Sequence, residues 1–308
     1  MKIRIGTRGS RLALAQTRSI AERLRLNGHE VSEVVIETRG DRDQEASFPE
    51  FGGSGVFVHE IERALLQQQI DLAVHSYKDL PATGPADLTI GAIPERLDAA
   101  DCLLVREEVV DLDDVRLPVR RRARIGTGSA RRTALLHWAR SDLEILPLRG
   151  NVDTRVGKLM AGDYDAIVVA AAGLDRIEAA GGLQQHHKGK VRRCRLDPSW
   201  FVPAPAQGVL ALQIRRADAE LAAAVKVLHR EQIARPVSCE RQLLVRVEGN
   251  CQLPFGAWCE VLPGGGLALV FALGLGTGIL VDRLEGEDPM QLADRAWNRL
   301  AEAGLPTQ

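Results

Sequence analysis

The sequence predicts an α/β protein made of doubly wound parallel or mixed sheets, followed by a small separate α+β domain. Three observations predict it. Short apolar runs alternate with amphipathic stretches of helical period from the first residues to about residue 230, the pattern of strands joined by helices. Four strand ends in that stretch carry Gly, Ser, Thr or Asn beside arginine, so one kind of strand-turn-helix unit recurs. From Gly256 onward the pattern changes to three strands and a final helix. A chain of 308 residues has room for two or three domains, because single cores rarely grow beyond about 250 residues.

Ile3 to Gly6 reads as the first strand, and Ser10 as the N-cap of a helix carrying Leu12, Leu14, Ala15, Ile20, Ala21 and Leu24. Arg8 stands at the turn between them. Backbone N–H groups at a helix start attract anions, and a neighbouring arginine adds a two-pronged donor for carboxylate or phosphate. Taken alone, this arginine reads first as a solvated turn residue. A second strand at Glu33 to Thr38 leads into Arg39 to Gly55, charged and aperiodic, which reads as a mobile lid. Val56 to Gln69 is an amphipathic helix with Phe57, Ile61, Ala64 and Leu65 on one face. Asp71 to His75 is a buried strand, and Ser76, Tyr77, Lys78 and Asp79 follow at its carboxyl end, where open α/β sheets bind ligands. Asp79 suits a general acid or base, or a group holding a developing cation. A turn-forming aspartate before Leu80 and Pro81 is the competing reading.

Leu88 to Ile93 and Cys102 to Arg106 continue the strands, and the run Arg120, Arg121, Arg122, Arg124 reads as a solvated face. The opening unit then recurs. Arg124 to Thr127 is a strand, Thr127-Gly128-Ser129 a turn, and Ala130 to Arg140 a helix beginning with Arg131 and Arg132. Glu144 to Leu148 is a strand followed by Arg149-Gly150-Asn151 and a helix from Val152 that contains Arg155. Asp165 to Ala170 precedes Ala172, Gly173 and Arg176. One such end is weak evidence; a series at equivalent ends reads as a crevice prepared for several carboxylates.

Gly181 to Lys190 is a polar loop whose His186 and His187 lack metal-ligand spacing, so no metal is expected. Trp200 to Gly208 is a proline-rich crossover, Val209 to Ile214 a strand, and Ala217 to Leu228 and Val237 to Val247 helices, with Pro236 near the start of the second.

The formal net charge of −1 gives no reason to expect a nucleic-acid partner. Of 40 basic residues only six are lysines, which singles out Lys78. Five cysteines without a CxxC pair fit a reduced compartment better than a disulfide framework. MKIRIGTRGS has no apolar signal core, and the most apolar run, Leu267 to Val281, is interrupted by Gly274, Gly276 and Gly278. It reads as two strands joined by a glycine-rich turn, and a soluble cytoplasmic protein is expected.

The stretch Glu248-Gly249-Asn250-Cys251-Gln252-Leu253-Pro254-Phe255-Gly256 sets a cysteine in a glycine-bounded loop. Cys251 reads either as a thiolate nucleophile or attachment point on a shaped loop, or as a buried, inert thiol.

TRGS (7 to 10), HSYKDLP (75 to 81), GTGSARR (126 to 132), RGNVDTR (149 to 155), AAGLDR (171 to 176), PAQG (205 to 208) and EGNCQLP (248 to 254) together resemble, in order and spacing, the porphobilinogen deaminase (hydroxymethylbilane synthase) family. The resemblance runs from the first strand to the last helix. It implies two periplasmic-binding-protein-like domains of the type II, transferrin-like kind with a cleft between them, plus a small α+β C-terminal domain. Domain 1 would be residues 1–98 with 198–217, domain 2 residues 99–197, and domain 3 residues 218–308. The resemblance further implies a dipyrromethane cofactor bound to Cys251 through a thioether. On it, four porphobilinogen molecules condense with loss of ammonia before water releases linear hydroxymethylbilane, in tetrapyrrole and haem biosynthesis. Arg8, Ser10, Ser76, Lys78, Thr127, Ser129, Arg131, Arg132, Arg149, Arg155 and Arg176 would bind carboxylates. Of these, Arg8, Ser10, Arg149 and Arg176 would serve substrate and the rest the cofactor. Asp79 would contact pyrrole N–H groups and be the catalytic carboxylate. A monomer is implied, with porphobilinogen as its small-molecule partner and neither nucleic acid nor membrane.

The chain departs from the family pattern at Ser54 and His59, where lid lysines are usual, at Gly128, where serine is common, and at Ala206 and Asn250, where glycine is common. A binding protein without turnover and a degenerate relative that binds precursors are the alternatives.

Overall fold

The computed structural model describes residues 1–37, 58–182, 189–247, 253–276 and 278–304. In chain order the elements are β1 (Lys2–Thr7), α1 (Arg11–Leu26), β2 (Glu30–Val35), α2 (His59–Leu66), β3 (Leu72–Ser76), β4 (Leu88–Ala92), β5 (Asp101–Arg106), β6 (Arg124–Gly126), α3 (Ala130–Ala139), β7 (Glu144–Leu146) and α4 (Val152–Ala161). There follow β8 (Ala166–Ala170), α5 (Ala171–Ala179), β9 (Val191–Arg195), β10 (Leu210–Arg215), α6 (Ala219–Lys226), α7 (Glu231–Val247), β11 (Phe255–Val261), β12 (Leu267–Leu275), β13 (Gly278–Gly286) and α8 (Pro289–Glu302). They divide into two compact units, Met1–Leu97 with Gly208–Arg235, and Asp98–Gln207 with Pro236–Gln308.

The first unit holds a five-stranded sheet in the order β2-β1-β3-β10-β4. β1 runs parallel to β2 and β3, and β10 is antiparallel to β3 and β4. Leu72 to His75 of β3 are all buried, as a central strand covered on both faces requires. On one face α1 packs Ile20, Ala21 and Leu24 into a core with Ile3, Ile5, Leu72 and Val74. On the other, α2 sets Ile61, Ala64 and Leu65 against Ile70, Ala73 and Leu88. Ser10 caps α1, its hydroxyl oxygen accepting from the Ala13 N–H at 3.3 Å.

The second unit repeats the sheet in the order β7-β6-β8-β5-β9, with β6 parallel to β7 and β8, and β5 antiparallel to β8 and β9. β11, β12 and β13 form an antiparallel sheet whose core joins Leu243 of α7, Phe271 of β12 and Leu292 of α8. Val270 and Ala272, on the alternate residues of β12, pack instead with Leu135, Leu136 and Phe201. The period of two along one strand thus covers both faces.

Several expectations need correction. The second strand is Glu30–Val35, three residues earlier than expected. β9 was not anticipated, because three of its five residues are arginines; it is an edge strand, where basic residues are tolerated. α7 starts at Glu231 and continues through Pro236, which forfeits one backbone donor of the helix. The basic run is exposed at Arg120, Arg121 and Arg122 and half-buried at Arg124, and Arg120 and Arg124 also pair with buried Asp165 at 3.0 and 3.4 Å. Arg39 to Gly55, His186 and His187 lie outside the described residues. Among the described residues, no helix is long and apolar enough to cross a membrane, and Cys102, Cys194, Cys239 and Cys259 are free thiols.

Candidate active site

Because β1 and β3 are parallel neighbours, their carboxyl ends lie side by side. The first presents Thr7, Arg8 and the capping Ser10; the second presents Ser76 and the single 3-10 turn Tyr77–Asp79, closed by Leu80 N–H on the Tyr77 carbonyl at 3.2 Å. Arg8, Ser10, Ser76 and Lys78 are half-buried, and Asp79 is exposed. Gln16 of α1, itself buried, donates through Nε2 to Ser76 Oγ at 2.9 Å. Behind the same strand end, His75 Nε2 lies 3.0 Å from Gln213 Oε1, and Gln213 Nε2 donates to Glu62 Oε1 at 2.9 Å. The amide oxygen can only accept, so the His75 proton resides on Nε2. Burial pushes the His75 imidazole down to about 4, against an upward pull from Gln213.

The second sheet gathers Thr127 and Ser129 at the end of β6, Arg149 beyond β7, and Arg176 on the helix after β8. Ser129 caps α3, accepting from the Arg132 N–H, and Thr127 Oγ1 accepts from the Ser129 N–H at 3.2 Å. Gly128, between them, could not carry a side chain in place: a Cβ there would lie 2.9 Å from the Leu148 carbonyl oxygen. Gly150 has φ +105° and a Cβ would meet Thr154 at 2.8 Å, so glycine is needed at this turn. Arg155 Nε donates to the Gly150 carbonyl at 2.8 Å, which ties the α4 arginine to the turn carrying Arg149.

Arg131 and Arg132 are buried in the first turn of α3 and converge on Asp101, the first residue of β5. Arg131 Nη1 reaches Asp101 Oδ2 at 2.8 Å and the Val202 carbonyl at 2.8 Å. Arg132 donates to Asp101 Oδ1 through Nε at 3.1 Å and Nη2 at 2.6 Å, and to the Val168 carbonyl at 2.9 Å. Gln207 Nε2 adds a donor to Oδ1 at 3.0 Å. Complete burial would raise the Asp101 carboxyl, but the two guanidinium charges and their hydrogen bonds hold it far below the usual carboxylate range. Two cations sharing one anion leave the trio with one positive charge, and the positive end of the α3 dipole adds to it. A positive potential of that kind favours an anion nearby.

The chain returning to the small sheet passes over this cluster. A Cβ on Gly256 would lie 3.2 Å from Arg131 Cδ and 2.7 Å from the Val202 carbonyl oxygen, and Ala257 N–H bonds to the Pro203 carbonyl at 2.9 Å. Cys251 and Asn250 lie outside the described residues, as does Ser54. His59 opens α2 with Nδ1 4.0 Å from Glu62 Oε2. Ala206 adopts φ +61°, and its N–H donates to buried Glu240 at 2.6 Å. Sequence reasoning missed Asp101, Gln207 and Gln16. Their only signal is polarity at positions that a strand start, a crossover and a helix flank all permit.

A model of the family "Porphobilinogen deaminase, dipyromethane cofactor binding domain" matches residues 3–223. Porphobilinogen deaminase of Streptococcus sanguinis is 41% identical over 98% of this chain and 96% of its own length. Those of Maridesulfovibrio salexigens and Bacillus subtilis are 41% and 39% identical, covering 96% and 98% of this chain and 91% and 93% of theirs. With its paired sheets, its arginine-bearing strand ends and this similarity along nearly its whole length, the chain belongs to the porphobilinogen deaminase family.

Proposed function

We propose that the chain is a hydroxymethylbilane synthase, a transferase of tetrapyrrole biosynthesis that condenses four porphobilinogen molecules head to tail with loss of one ammonia each. Hydrolysis then frees linear 1-hydroxymethylbilane. Its cofactor is dipyrromethane, for which Cys251 is the thioether attachment point. The observation that carries this reading is the Arg131–Arg132–Asp101 cluster with its surplus positive charge. The donor set suits a primer whose two rings each bear an acetate and a propionate. Gly256, five residues after Cys251 in the sequence, lies against Arg131.

When bound, the primer supplies the nucleophilic ring position to which the first porphobilinogen is joined. Ser76, Lys78, Thr127, Ser129, Arg131, Arg132 and Arg155 hold its carboxylates, while Arg8, Ser10, Arg149 and Arg176 orient those of the incoming substrate. Guanidinium forks suit this work better than ammonium groups, since each matches a carboxylate in two parallel hydrogen bonds. Asp79 accepts from pyrrole N–H groups. As ammonia departs, positive charge develops on the substrate ring, and a carboxylate at its nitrogen stabilises that charge and can take up the proton released on coupling. The chain works as a cytoplasmic monomer without nucleic acid, with the first five-stranded sheet, the second and the small C-terminal sheet as its three domains.

The test is the intact mass of the purified protein beside a Cys251→Ala control. The expected result is an increment of two porphobilinogen units less two ammonia, absent from the control. An unmodified mass that persists after incubation with porphobilinogen overturns the reading in favour of a binding protein. Asp79→Asn is expected to keep the increment and the fold but lose turnover by about 100-fold or more, the scale of a positioned acid-base group; near-normal turnover would remove Asp79 from its role.

A further inference from the structure

Four hydroxyl groups stand at the strand ends assigned to carboxylate binding, and in each the oxygen already accepts a hydrogen bond from an N–H group. Ser10 accepts from Ala13 N–H, Thr127 from Ser129 N–H and Ser129 from Arg132 N–H. Ser76 differs. It stands at the N-terminal end of the Tyr77–Asp79 turn but makes no side-chain cap to that turn. Its acceptor role is filled by a side chain from another element, Nε2 of Gln16, at 2.9 Å.

A hydroxyl has one proton and two lone pairs, and the proton turns to wherever an acceptor lies. An N–H donor on the oxygen directs the hydroxyl proton away from that donor and leaves it to be given to something else. A carboxylate has only acceptors, so a hydroxyl serves it only as a donor. Gln16 is 4% exposed and sits one and a half turns into α1, where packing restricts the amide.

We infer that Gln16 is a positioning residue that fixes the Ser76 hydroxyl as a donor towards a carboxylate of the primer, doing with a side chain what backbone N–H groups do for Ser10, Thr127 and Ser129. The inference rests on the assignment of Ser76 to the primer made above. It implies that the hydrogen-bonding polarity of residue 16 matters more than its bulk. Gln16→Glu is nearly the same shape but offers an acceptor, so it draws the Ser76 proton to itself and leaves the site facing a lone pair. Gln16→Met removes the donor without supplying an acceptor, and the hydroxyl can still turn to the ligand.

The experiment follows the mass gain of full-length protein, produced without porphobilinogen, after porphobilinogen is added. Wild type, Ser76→Ala, Gln16→Glu, Gln16→Met and the double variant Ser76→Ala/Gln16→Glu are compared, with thermal midpoints recorded. Ser76→Ala and Gln16→Glu are each expected to slow primer assembly about tenfold, the worth of one charge-assisted hydrogen bond. Gln16→Met should cost less. In the Ser76→Ala background Gln16→Glu should add less than about twofold, because the group it acts through is gone. The same loss from Gln16→Glu in both backgrounds overturns the inference, since a structural or purely electrostatic role does not depend on Ser76. Equal losses from Gln16→Glu and Gln16→Met overturn it too. If Gln16→Glu does not fold, Gln16→Met is compared in both backgrounds: its smaller loss should vanish once Ser76 is alanine, and the same loss in both backgrounds overturns the inference. A wild type that gains no mass defeats the synthase reading itself. A wild type that gains mass while Ser76→Ala matches it defeats only the role of Gln16.

Discussion

The two five-stranded sheets have the same strand order and directions, with β1, β2, β3, β10 and β4 corresponding to β6, β7, β8, β5 and β9, yet they treat buried polarity differently. In the first, Leu210 of β10 pairs with Ser76 at the end of β3, and polar order comes from the amides of Gln16 and Gln213. In the second, Asp101 of β5 pairs with Ala170 at the end of β8, and an ionic trio replaces the apolar contact. The comparison teaches that one backbone arrangement accepts two electrostatic designs. Amides direct individual protons, whereas the trio sets the charge of a whole strand end.

The sharpest way to break the comparison is to remove its ionic half. Asp101→Asn leaves two buried guanidinium groups without their counterion, and a loss of about 3–5 kcal/mol is expected in urea unfolding at pH 7. A loss under about 1 kcal/mol would mean that the cluster is not held by Asp101.

Acid separates the halves next. His75 has a folded value of about 4 against an ordinary 6.5, so between these values the unfolded chain binds a proton that the folded chain refuses. Stability from this group is therefore present above about 6.5 and is lost as pH falls to about 4. It amounts to roughly 3 kcal/mol at about 1.36 kcal/mol per unit. Asp101 is lost in the same direction but in a lower window: its folded value lies below the ordinary 3.8, so its contribution survives the His75 window and fades only below it. Unfolding at pH 7 and pH 4.5 should show the drop in wild type and a flatter response in His75→Gln. An unchanged slope in the variant would assign the acid sensitivity elsewhere.

The smallest effect sharpens the picture of the crossover. Ala206 holds a left-handed φ of +61°, which costs a residue with a Cβ about 1–2 kcal/mol. Ala206→Gly, which keeps the N–H donated to Glu240, is expected to raise stability by about 1 kcal/mol in the same titration; a loss would show that the methyl group packs usefully.

Much of the site was legible because its residues end recognisable strands. Leu72 to His75 is an apolar run, so Ser76, Lys78 and Asp79 fall at its carboxyl end whatever the fold's details. The turns carrying Thr127, Ser129 and Arg149 are marked by Gly128 and Gly150. What was hidden depends on contacts distant in sequence. Asp101 looks like a turn residue until Arg131 and Arg132, some 30 positions later, close on it. Gln16 looks like part of a solvated helix flank until Ser76, 60 positions away, meets it. β9 was unreadable because an edge strand needs pairing on one side only, so Val191–Arg195 can be mostly charged.

The position of β10 in the first sheet has a consequence for how the molecule is made. Emerging from a ribosome, residues 101–195 contain every strand of the second sheet in one continuous stretch. The first sheet cannot close until Leu210–Arg215 has been synthesised, because β4 joins it only through β10. At about 5–20 residues per second, the interval from Ser76 to Leu210 is roughly 7–27 s. Throughout it the apolar edge of β3 waits for its neighbour, making the nascent N-terminal half the part of the chain most in need of protection from premature association.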